Sequence, residues 1–259
     1  MPESLEADSL NPAPLDAQAV GTRVLIFSDV TSTNERALAI GGNGTVVVAE
    51  HQTAGRGRHG RSWVSAPGLG LWFSVVFERQ IPGLQFAGPL AVREAVRVAF
   101  PASGQVLAAK WPNDLLLRGK KFCGALVESR GGRYVLGLGI NVRHRPDDFP
   151  PELRDRATSL DYELAACVDR SRLLRSVLGI LDRRVVRLTE EKDAVENTCR
   201  EWLEACRLFG RRVSWRGGEG TIARVDPLGV LYVQARDGLA AIPFEESSKL
   251  VITHTDDAA

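Results

Sequence analysis

The stretch TVVVAEHQTAGRGRHGRSWVSAPGLGLWFSVVF, from Thr45 to Phe77, determines the architecture predicted for this chain. Its two ends, Val46 to Glu50 and Leu71 to Phe77, are short runs rich in β-branched, aliphatic and aromatic residues. Such runs are typical of strands that are covered on both faces. The segment from Gly55 to Arg61 holds three glycines and three arginines in seven residues. The stretch therefore predicts two buried strands joined by a long basic loop.

The basic loop, Gly55 to Arg61, contains no apolar residue and cannot bury itself in a core. Its backbone is therefore expected to be mobile or to fold around an anion. Guanidinium groups match the oxygens of phosphate and carboxylate, and glycine lets a backbone approach them closely. The loop is thus either a phosphate-handling element or a solvated basic turn.

The glycines Gly55, Gly57 and Gly60 also match the dinucleotide-binding pattern GxGxxG after a strand, and Glu78 stands about where a ribose-binding acid would lie. That pattern requires a helix that opens inside the loop and points its N-terminus at the pyrophosphate. The following residues include Pro67, Gly68 and Gly70, which exclude a helix of three turns. A Rossmann site is therefore rejected.

The composition narrows the function classes. A chain of 259 residues has room for one large domain, or for one large and one small domain. Its net charge of +1 gives no global basic field that would indicate nucleic acid. Its four cysteines form no CxxC pair and its four histidines are dispersed, so no disulfide framework and no metal site are predicted. No secretory signal and no apolar run near the ~18 residues of a membrane span are present. Reduced thiols in a cytoplasmic protein are expected.

Two further segments have a structural explanation and also suggest a binding function. Ser32 or Thr33 is placed to cap a helix that begins near Asn34, after a strand from Arg23 to Phe27, yet this cluster of hydroxyls and an amide also suits a polar pocket. The segment from Lys110 to Asp114 is a strand that ends in a Trp-Pro-Asn-Asp turn.

Two lysines and two glycines in this part of the chain also require an explanation. Lys110 is expected at the end of a buried strand, where an ammonium requires a partner. Lys121 opens an apolar strand, where it either reaches an anionic ligand or marks a hairpin edge. Gly137 and Gly139 alternate on one face of a strand from Tyr134 to Val142, which indicates close approach of a ligand or of a helix.

The rest of the sequence predicts helices and strands that serve packing, and it indicates the domain boundaries. Amphipathic helices are predicted at Leu84–Phe100, Ser171–Thr189 and Asp193–Cys206, and five short strands follow Phe209. The predicted organisation is a disordered tail over residues 1–20, a catalytic domain over 21–207 and a small β-module over 208–254, with a second tail from Thr255.

Taken together, these segments resemble the biotin protein ligase family, which activates biotin with ATP and attaches it to a lysine of a carrier domain. The matching motifs, in order, are Ser32-Thr33-Asn34, Gln52 with Gly55 to Arg61 and Trp63, Lys110 to Asp114, Lys121, and Gly137 to Asn141. With the two helices and the small β-module that follow these motifs, the resemblance extends over roughly Arg23 to Thr253.

The resemblance implies an α+β fold, a mixed sheet backed by helices similar to class II aminoacyl-tRNA synthetases, with a small C-terminal SH3-like β-barrel. It also implies ATP, biotin and Mg²⁺ as ligands, and the biotin carboxyl carrier domain of an acyl-CoA carboxylase as partner, without nucleic acid or membrane. Arg58 and Lys121 are the implied catalytic residues. The implied biotin or adenylate contacts are Ser32, Thr33, Asn34, Gln52, Gly55, Arg56, Gly57, Arg58, Lys121, Gly124, Gly137 and Gly139. The implied nucleotide contacts are Arg61, Trp63, Lys110, Asn113, Asp114 and Asn141.

The chain also departs from the family pattern. Phe122 and Cys123 stand where the family usually has Leu and Ala, so one wall of the biotin pocket differs in shape. The roughly 20 residues before Thr22 are too few and too rich in proline for the DNA-binding domain of some members, so a monofunctional ligase is expected. The related lipoate ligases and octanoyltransferases are the alternative within this fold, and a nucleic-acid-binding protein is the alternative of another class.

Overall fold

A seven-stranded mixed sheet organises the computed structural model, which describes residue 10 and residues 16–252. The strands are β1 Arg23–Val30, β2 Thr45–Gln52, β3 Gly70–Phe77, β4 Leu107–Lys110, β5 Asp114–Leu117, β6 Lys120–Arg130 and β7 Arg133–Asn141. Their order across the sheet is β1-β2-β3-β7-β6-β5-β4, and β1 and β2 are the parallel pair in an otherwise antiparallel sheet. Every residue of β3 is buried, as expected for a strand covered on both faces.

Helices cover the two faces of this sheet unequally. They are α1 Thr33–Ile40, α2 Leu84–Ala99, α3 Leu160–Leu164, α4 Arg170–Glu190 and α5 Ala194–Ala205. Neighbouring residues of β7 show the division, because Leu136 packs on Gly88 of α2 whereas Gly137 faces Asn34 of α1. The α2, α4 and α5 layer therefore backs one face, and α1 covers only part of the other. The α+β fold with a mixed sheet backed by helices is confirmed.

The predicted elements are present, with boundaries that differ by a few residues. The largest difference is β1, which continues beyond Phe27 to Val30 because its parallel pairing with β2 extends to the pair Val30 and Gln52. The amphipathic helices begin and end within one residue of their predicted limits.

The C-terminal module is an open antiparallel sheet rather than the expected closed barrel. Its strands are β8 Arg212–Trp215, β9 Gly218–Val225, β10 Leu231–Ala235, β11 Gly238–Ile242 and β12 Val251–Ile252, in the order β11-β10-β9-β8-β12. Within the described residues the edge strands β11 and β12 do not pair with each other, and β12 has only two residues with which to close a barrel. The expectation of a closed SH3-like barrel is therefore not met over this part of the chain.

The module packs on the large sheet's helical layer. Its apolar residues, including Val213, Ile222 and Leu231, belong to the same hydrophobic cluster as the core of the large sheet. The Gln85 side chain of α2 also donates a hydrogen bond to the Pro227 carbonyl (2.7 Å). A module of this size is marginal alone, and this shared core stabilises it.

Part of the predicted N-terminal tail is anchored to α4. The backbone N–H groups of Gln18, Ala19 and Val20 donate to the buried carboxylate of Asp182 at 3.1, 2.6 and 2.7 Å. A buried carboxylate requires such donors, and the bonds fix the chain there. The prediction of disorder is therefore wrong for residues 18–20, whereas residues 1–9, 11–15 and 253–259 lie outside the described residues.

His144, just after β7, is a buried imidazole in an aromatic environment. It stacks on Phe149 with ring centroids 4.8 Å apart and meets the edge of Trp72 at 5.9 Å. Burial lowers the pKa of His144 to about 4, although Asp148 and the backbone of Leu69 act in the opposite direction. The ring is therefore neutral in the folded protein near pH 7.

We expect His144 to make the fold sensitive to acid. The unfolded chain binds a proton at this ring near pH 6.5 and the folded chain only near pH 4, so stability falls as the pH drops through that window. By pH 5 the loss from this residue is about 2 kcal/mol. Urea unfolding at pH 7.5 and pH 5 measures this loss, and His144→Leu should reduce the difference between the two pH values. An unchanged difference in the variant would contradict this role.

Candidate active site

Three glycines give the open face of the large sheet a bare backbone surface, which we call the glycine floor: Gly124 of β6 with Gly137 and Gly139 of β7. Gly124 and Gly139 are partners across the two strands. A Cβ on Gly139 would lie 2.5 Å from the Trp63 ring, and one on Gly124 would lie 3.0 Å from both Lys121 Nζ and Trp63. The close approach predicted from the sequence is thus made by side chains of the site.

Gly137 likewise leaves room for a side chain of the site, the Asn34 amide of α1. A Cβ at Gly137 would collide with the Asn34 side chain. Of the two alternatives left open by the sequence, packing against a helix is the one seen at this position. The helix residue concerned is itself one of the predicted site residues.

A hydrogen-bond network fills the pocket at the start of α1. The Thr33 backbone N–H and hydroxyl donate to Gln52 Oε1 at 2.8 and 3.1 Å. The Ser74 hydroxyl donates to Asn34 Oδ1 at 2.6 Å and lies 2.8 Å from Thr33 Oγ1. Ser32 occupies the N-cap position, but its side chain makes no capping hydrogen bond. The residues of this cluster therefore build a polar pocket rather than a helix cap.

Ser74 and Glu128 belong to this pocket and were missed by sequence reasoning. Glu128 Oε2 accepts from Asn34 Nδ2 at 2.7 Å and lies 3.3 Å from Arg56 Nη2. Ser74 had a detectable signal, because it is the one hydroxyl in the apolar strand β3. Glu128 had none, since acidic residues are common near the ends of exposed hairpins.

Lys121 lies between an aromatic ring and a carboxylate above the glycine floor. Its Nζ is 2.5 Å from Asp114 Oδ1 and 5.0 Å from the centre of the Trp63 ring. The side chain is about one-third exposed, so the ammonium is accessible from solvent. The functional interpretation of Lys121 as a cation facing a ligand surface fits this position, although Lys121 also pairs with a backbone segment at Ala157.

The basic loop folds as a short hairpin against the pocket. Gly57 N–H donates to the Arg61 carbonyl (2.7 Å) and Trp63 N–H donates to the Gly55 carbonyl (2.9 Å). A Cβ at Gly55 would lie 2.5 Å from the Trp63 carbonyl, so this closure requires glycine. The sequence offered mobility or folding around an anion, and the structure has a third arrangement in which the protein itself orders the loop.

Arg58 fastens this hairpin to the C-terminal module. Its Nη2 donates to the Phe244 carbonyl (3.2 Å), and its guanidinium carbon lies 4.2 Å from the Phe244 ring centre. Phe244 in turn meets the edge of Trp111 at 5.9 Å. Burial lowers the pKa of Arg58, and Arg61 lowers it further, whereas Glu245 and Asp114 raise it. We call Phe244 and its carbonyl the arginine seat.

The other predicted residues lie around this centre with different roles. Asn113 Nδ2 donates to the Ala125 carbonyl, and Asn141 Nδ2 donates to the Thr158 carbonyl at 3.0 Å, so both amides bind backbone. Arg61 is exposed. Lys110 is exposed as well, on the edge strand β4, so the expectation of a buried ammonium is wrong, because the alternating pattern of β4 turns it to solvent.

A cavity of about 440 Å³ opens beside this site, lined by residues that include Gln52, Gly55, Trp63 and Ser65. Gln52 spans the cavity and the network, because its Nε2 donates to Ser65 Oγ at 2.8 Å. The described residues contain no group of three or more His, Cys, Asp or Glu side chains placed to hold a metal ion. Nor does any helix among them have the length and apolarity needed to cross a membrane.

The site thus combines two chemistries. Hydroxyls and amides at Thr33, Asn34 and Gln52 suit a neutral head group that both donates and accepts hydrogen bonds. Arg56, Arg58 and Lys121 suit the oxygens of an anion. A ligand with a polar neutral ring and an anionic end matches this arrangement.

Comparison with known sequences gives consistent matches. The model of the biotin/lipoate A/B protein ligase family matches residues 26–144. The chain is 37% identical to the bifunctional ligase/repressor BirA of Bacillus subtilis over 182 residues, which cover 66% of this chain and 56% of that protein. The chain therefore spans little more than half the length of that relative.

Two further relatives are matched over most of their length. The biotin–[acetyl-CoA-carboxylase] ligase of Mycobacterium tuberculosis is 34% identical over 202 residues, 70% of this chain and 74% of that protein. The enzyme of the same name from Paracoccus denitrificans is 30% identical over 240 residues, 86% of this chain and 98% of that protein.

Solved structures show the same fold. The biotin protein ligase from Aquifex aeolicus in complex with biotin and ATP superposes with a TM-score of 0.71 at 28% identity, covering 90% of this chain and 99% of that chain. The Leishmania major biotin protein ligase in complex with biotinyl-5-AMP gives a TM-score of 0.57 at 25% identity, covering 85% and 98%.

We expect Phe244→Leu to release the basic loop. A half-buried cation–π contact contributes about 1 kcal/mol, so its loss should raise the open population about fivefold. Limited trypsin digestion after the loop arginines measures this population when opening is fast relative to cleavage. The control Phe209→Leu changes an exposed ring at the edge of the same module. Equal cleavage rates in wild type and Phe244→Leu would show that the Phe244 ring does not hold the loop.

Proposed function

The chain belongs to the biotin protein ligase family, and from this premise we propose that it is an ATP-dependent biotin protein ligase. It activates biotin to biotinyl-5′-AMP and transfers the biotinyl group to a lysine of a carrier domain. One observation carries this proposal above the others. Asn34 and Lys121 lie over one glycine floor, and Glu128 connects the network of Thr33, Asn34 and Gln52 to Arg56 of the basic loop.

The polar network is assigned to the ureido ring of biotin. A ureido group presents one carbonyl acceptor and two N–H donors, and the network of Thr33, Asn34, Gln52 and Ser74 holds both kinds of partner. These side chains are already hydrogen-bonded to one another, so the pocket is preorganised rather than assembled on binding. Ser32, buried beside this network, is assigned to the same ring. Because Gly137 has no side chain, the Asn34 amide lies directly on the strand backbone.

The cations are assigned to the reacting groups. An oxygen of the biotin carboxylate attacks the α-phosphorus of ATP, the bond to the pyrophosphate oxygen breaks, and pyrophosphate leaves. Two anions must meet for this reaction, so Arg58 and Lys121 offset their repulsion and the charge that develops on the α-phosphate. Arg61 is assigned to the phosphates and Trp63 to the nucleotide, with Lys110, Asn113, Asp114 and Asn141 around it.

The second step forms an amide. The neutral ε-amine of the acceptor lysine attacks the acyl carbon of the adenylate, AMP leaves with the bonding pair, and the amine loses a proton. We propose that the acceptor is the biotin carboxyl carrier domain of acetyl-CoA carboxylase or a related carboxylase. The relatives from M. tuberculosis and P. denitrificans, both named biotin–[acetyl-CoA-carboxylase] ligase, support this choice.

Magnesium is proposed to enter with ATP. It prefers phosphate oxygens with one or two carboxylates, and it keeps several waters. Asp114, paired with Lys121, is the carboxylate of this site that lies beside the assigned phosphate-binding cations. The phosphates themselves then supply most of its ligands.

The wider organisation is proposed on the same basis. Residues 21–207 form the catalytic domain, similar to class II synthetases, and residues 208–254 form a module related to the SH3-like barrel that provides the arginine seat. The four cysteines are free thiols, which fits a reducing, cytoplasmic location.

The substrate is tested by pyrophosphate release from MgATP with biotin, lipoate, octanoate or no acid. We expect release with biotin alone, because the amide and hydroxyl pocket matches a ureido ring and no feature of lipoate or octanoate. Release with lipoate instead would transfer the chain to the lipoate branch of the family. No release with any acid would contradict the proposed activation step.

Arg58→Ala is expected to leak the adenylate. The basic loop, held by Arg58, covers the mixed anhydride and excludes water until the acceptor arrives. The variant should release biotinyl-5′-AMP at least tenfold faster and label lysines of a bystander protein. The matched control is Arg79→Ala, an exposed arginine outside the site. Retention of the adenylate as long as in wild type would contradict this role of the loop.

A further inference from the structure

A second cavity, of about 480 Å³, lies in the helical layer on the face of the sheet opposite the glycine floor. Residues of α2, α4 and α5 line it. The proposed ligase reaction uses none of these residues. We call it the helical-layer cavity.

One arginine of this cavity is fully paired through its terminal nitrogens. Arg184 donates from Nη1 to Glu201 Oε2 at 2.8 Å, and from Nη2 to Glu94 Oε2 at 2.8 Å and Glu201 Oε1 at 2.9 Å. Both carboxylates of the cavity are therefore engaged by a single guanidinium. Arg184 Nε is buried and meets no acceptor among the described residues.

Two further arginines leave the cavity with one excess positive charge, because three guanidinium groups face two carboxylates. Arg93 and Arg97 are four residues apart on α2 and both line the cavity. Neither forms an ion pair with any described residue. Arg93 Nε is buried without an acceptor over the same part of the chain. Burial lowers the pKa of Arg93, and the neighbouring Arg97 lowers it as well.

A purely structural explanation accounts for only part of this arrangement. An arginine in the last turn of α2 complements the helix dipole, which explains Arg97. It does not explain Arg93, whose guanidinium is partly withdrawn from water beside a like charge. Two guanidinium groups without an ion pair among the described residues, at a cavity with one excess positive charge, have the character of a binding site for an oxyanion.

One part of the cavity wall is apolar. Leu90, Val98 and Pro101 line it, and Val98 is 70% exposed although it is aliphatic. An inorganic ion alone would leave this wall bare, and a volume of this size accommodates a larger molecule.

We propose that the helical-layer cavity binds a small organic anion, whose phosphate or carboxylate group is held by Arg93 and Arg97 and whose apolar body lies on Val98 and Pro101. The terminal nitrogens of Arg93 and Arg97 donate to the anionic oxygens. This inference concerns a site separate from the proposed ligase site and does not depend on that function.

The arginine Nε–Hε resonances of the full chain, assigned by single arginine variants, test the proposal during titration with phenyl phosphate, benzoate or inorganic phosphate. We expect the Arg93 and Arg184 signals to shift in a saturable manner, with phenyl phosphate binding at least threefold tighter than inorganic phosphate. If benzoate binds tighter than phenyl phosphate, the same site is selective for carboxylates. Signals that do not move with any of the three probes would overturn the proposal.

Calorimetry with three variants separates this cavity from the basic loop, which also attracts anions. Arg97→Gln, an exposed position that leaves the core intact, should weaken phenyl phosphate binding at the cavity at least fivefold. Arg61→Gln in the loop, and Arg79→Gln on the outer surface as a charge-matched control, should leave it unchanged. Binding that survives Arg97→Gln and is lost with Arg61→Gln would place the anion in the loop and overturn the proposal.

Discussion

The absence of side chains along one strip of the large sheet is the constraint on which the site depends. Gly124, Gly137 and Gly139 let Asn34, Trp63 and Lys121 lie directly on backbone. A methyl group at any of these positions would displace a residue of the site. Glycine weakens a strand, and here β6 and β7 tolerate it because they pair along their full length and their other face is buried against α2.

The polar pocket above this floor is stable because its groups satisfy one another. Thr33, Asn34 and Ser74 are buried, and an unpaired hydroxyl or amide at this depth would cost about 1–3 kcal/mol. The network through Gln52 removes that cost and fixes the orientation of each group. Glu128 extends it to Arg56, so the neutral pocket and the charged loop form one connected system.

The charged loop is under opposing electrostatic influences. Its arginines repel one another, and burial of Arg58 disfavours its charge, while Glu245 and Asp114 offset part of that cost. The Phe244 ring contributes about 1 kcal/mol to this seat, and the hydrogen bond from Arg58 to the Phe244 carbonyl adds to it. The seat therefore orders the loop before any ligand arrives.

The sequence by itself determined the elements and predicted most of the residues that the structure brings together at the candidate site. Apolar runs and helical periodicity placed the strands and helices, because burial of those side chains leaves few other arrangements for them. The motifs from Ser32 to Asn141 identified the family, and the glycine alternation in β7 identified a surface of close approach. The tertiary structure alone decided which partner each polar group takes. Ser74 and Glu128 joined the site, Lys110 turned to solvent, Phe244 received Arg58, and Asp182 anchored residues 18–20. Local pattern governs which residues are buried and in what period, whereas contacts between residues as distant as Arg58 and Phe244 exist only once the chain has packed.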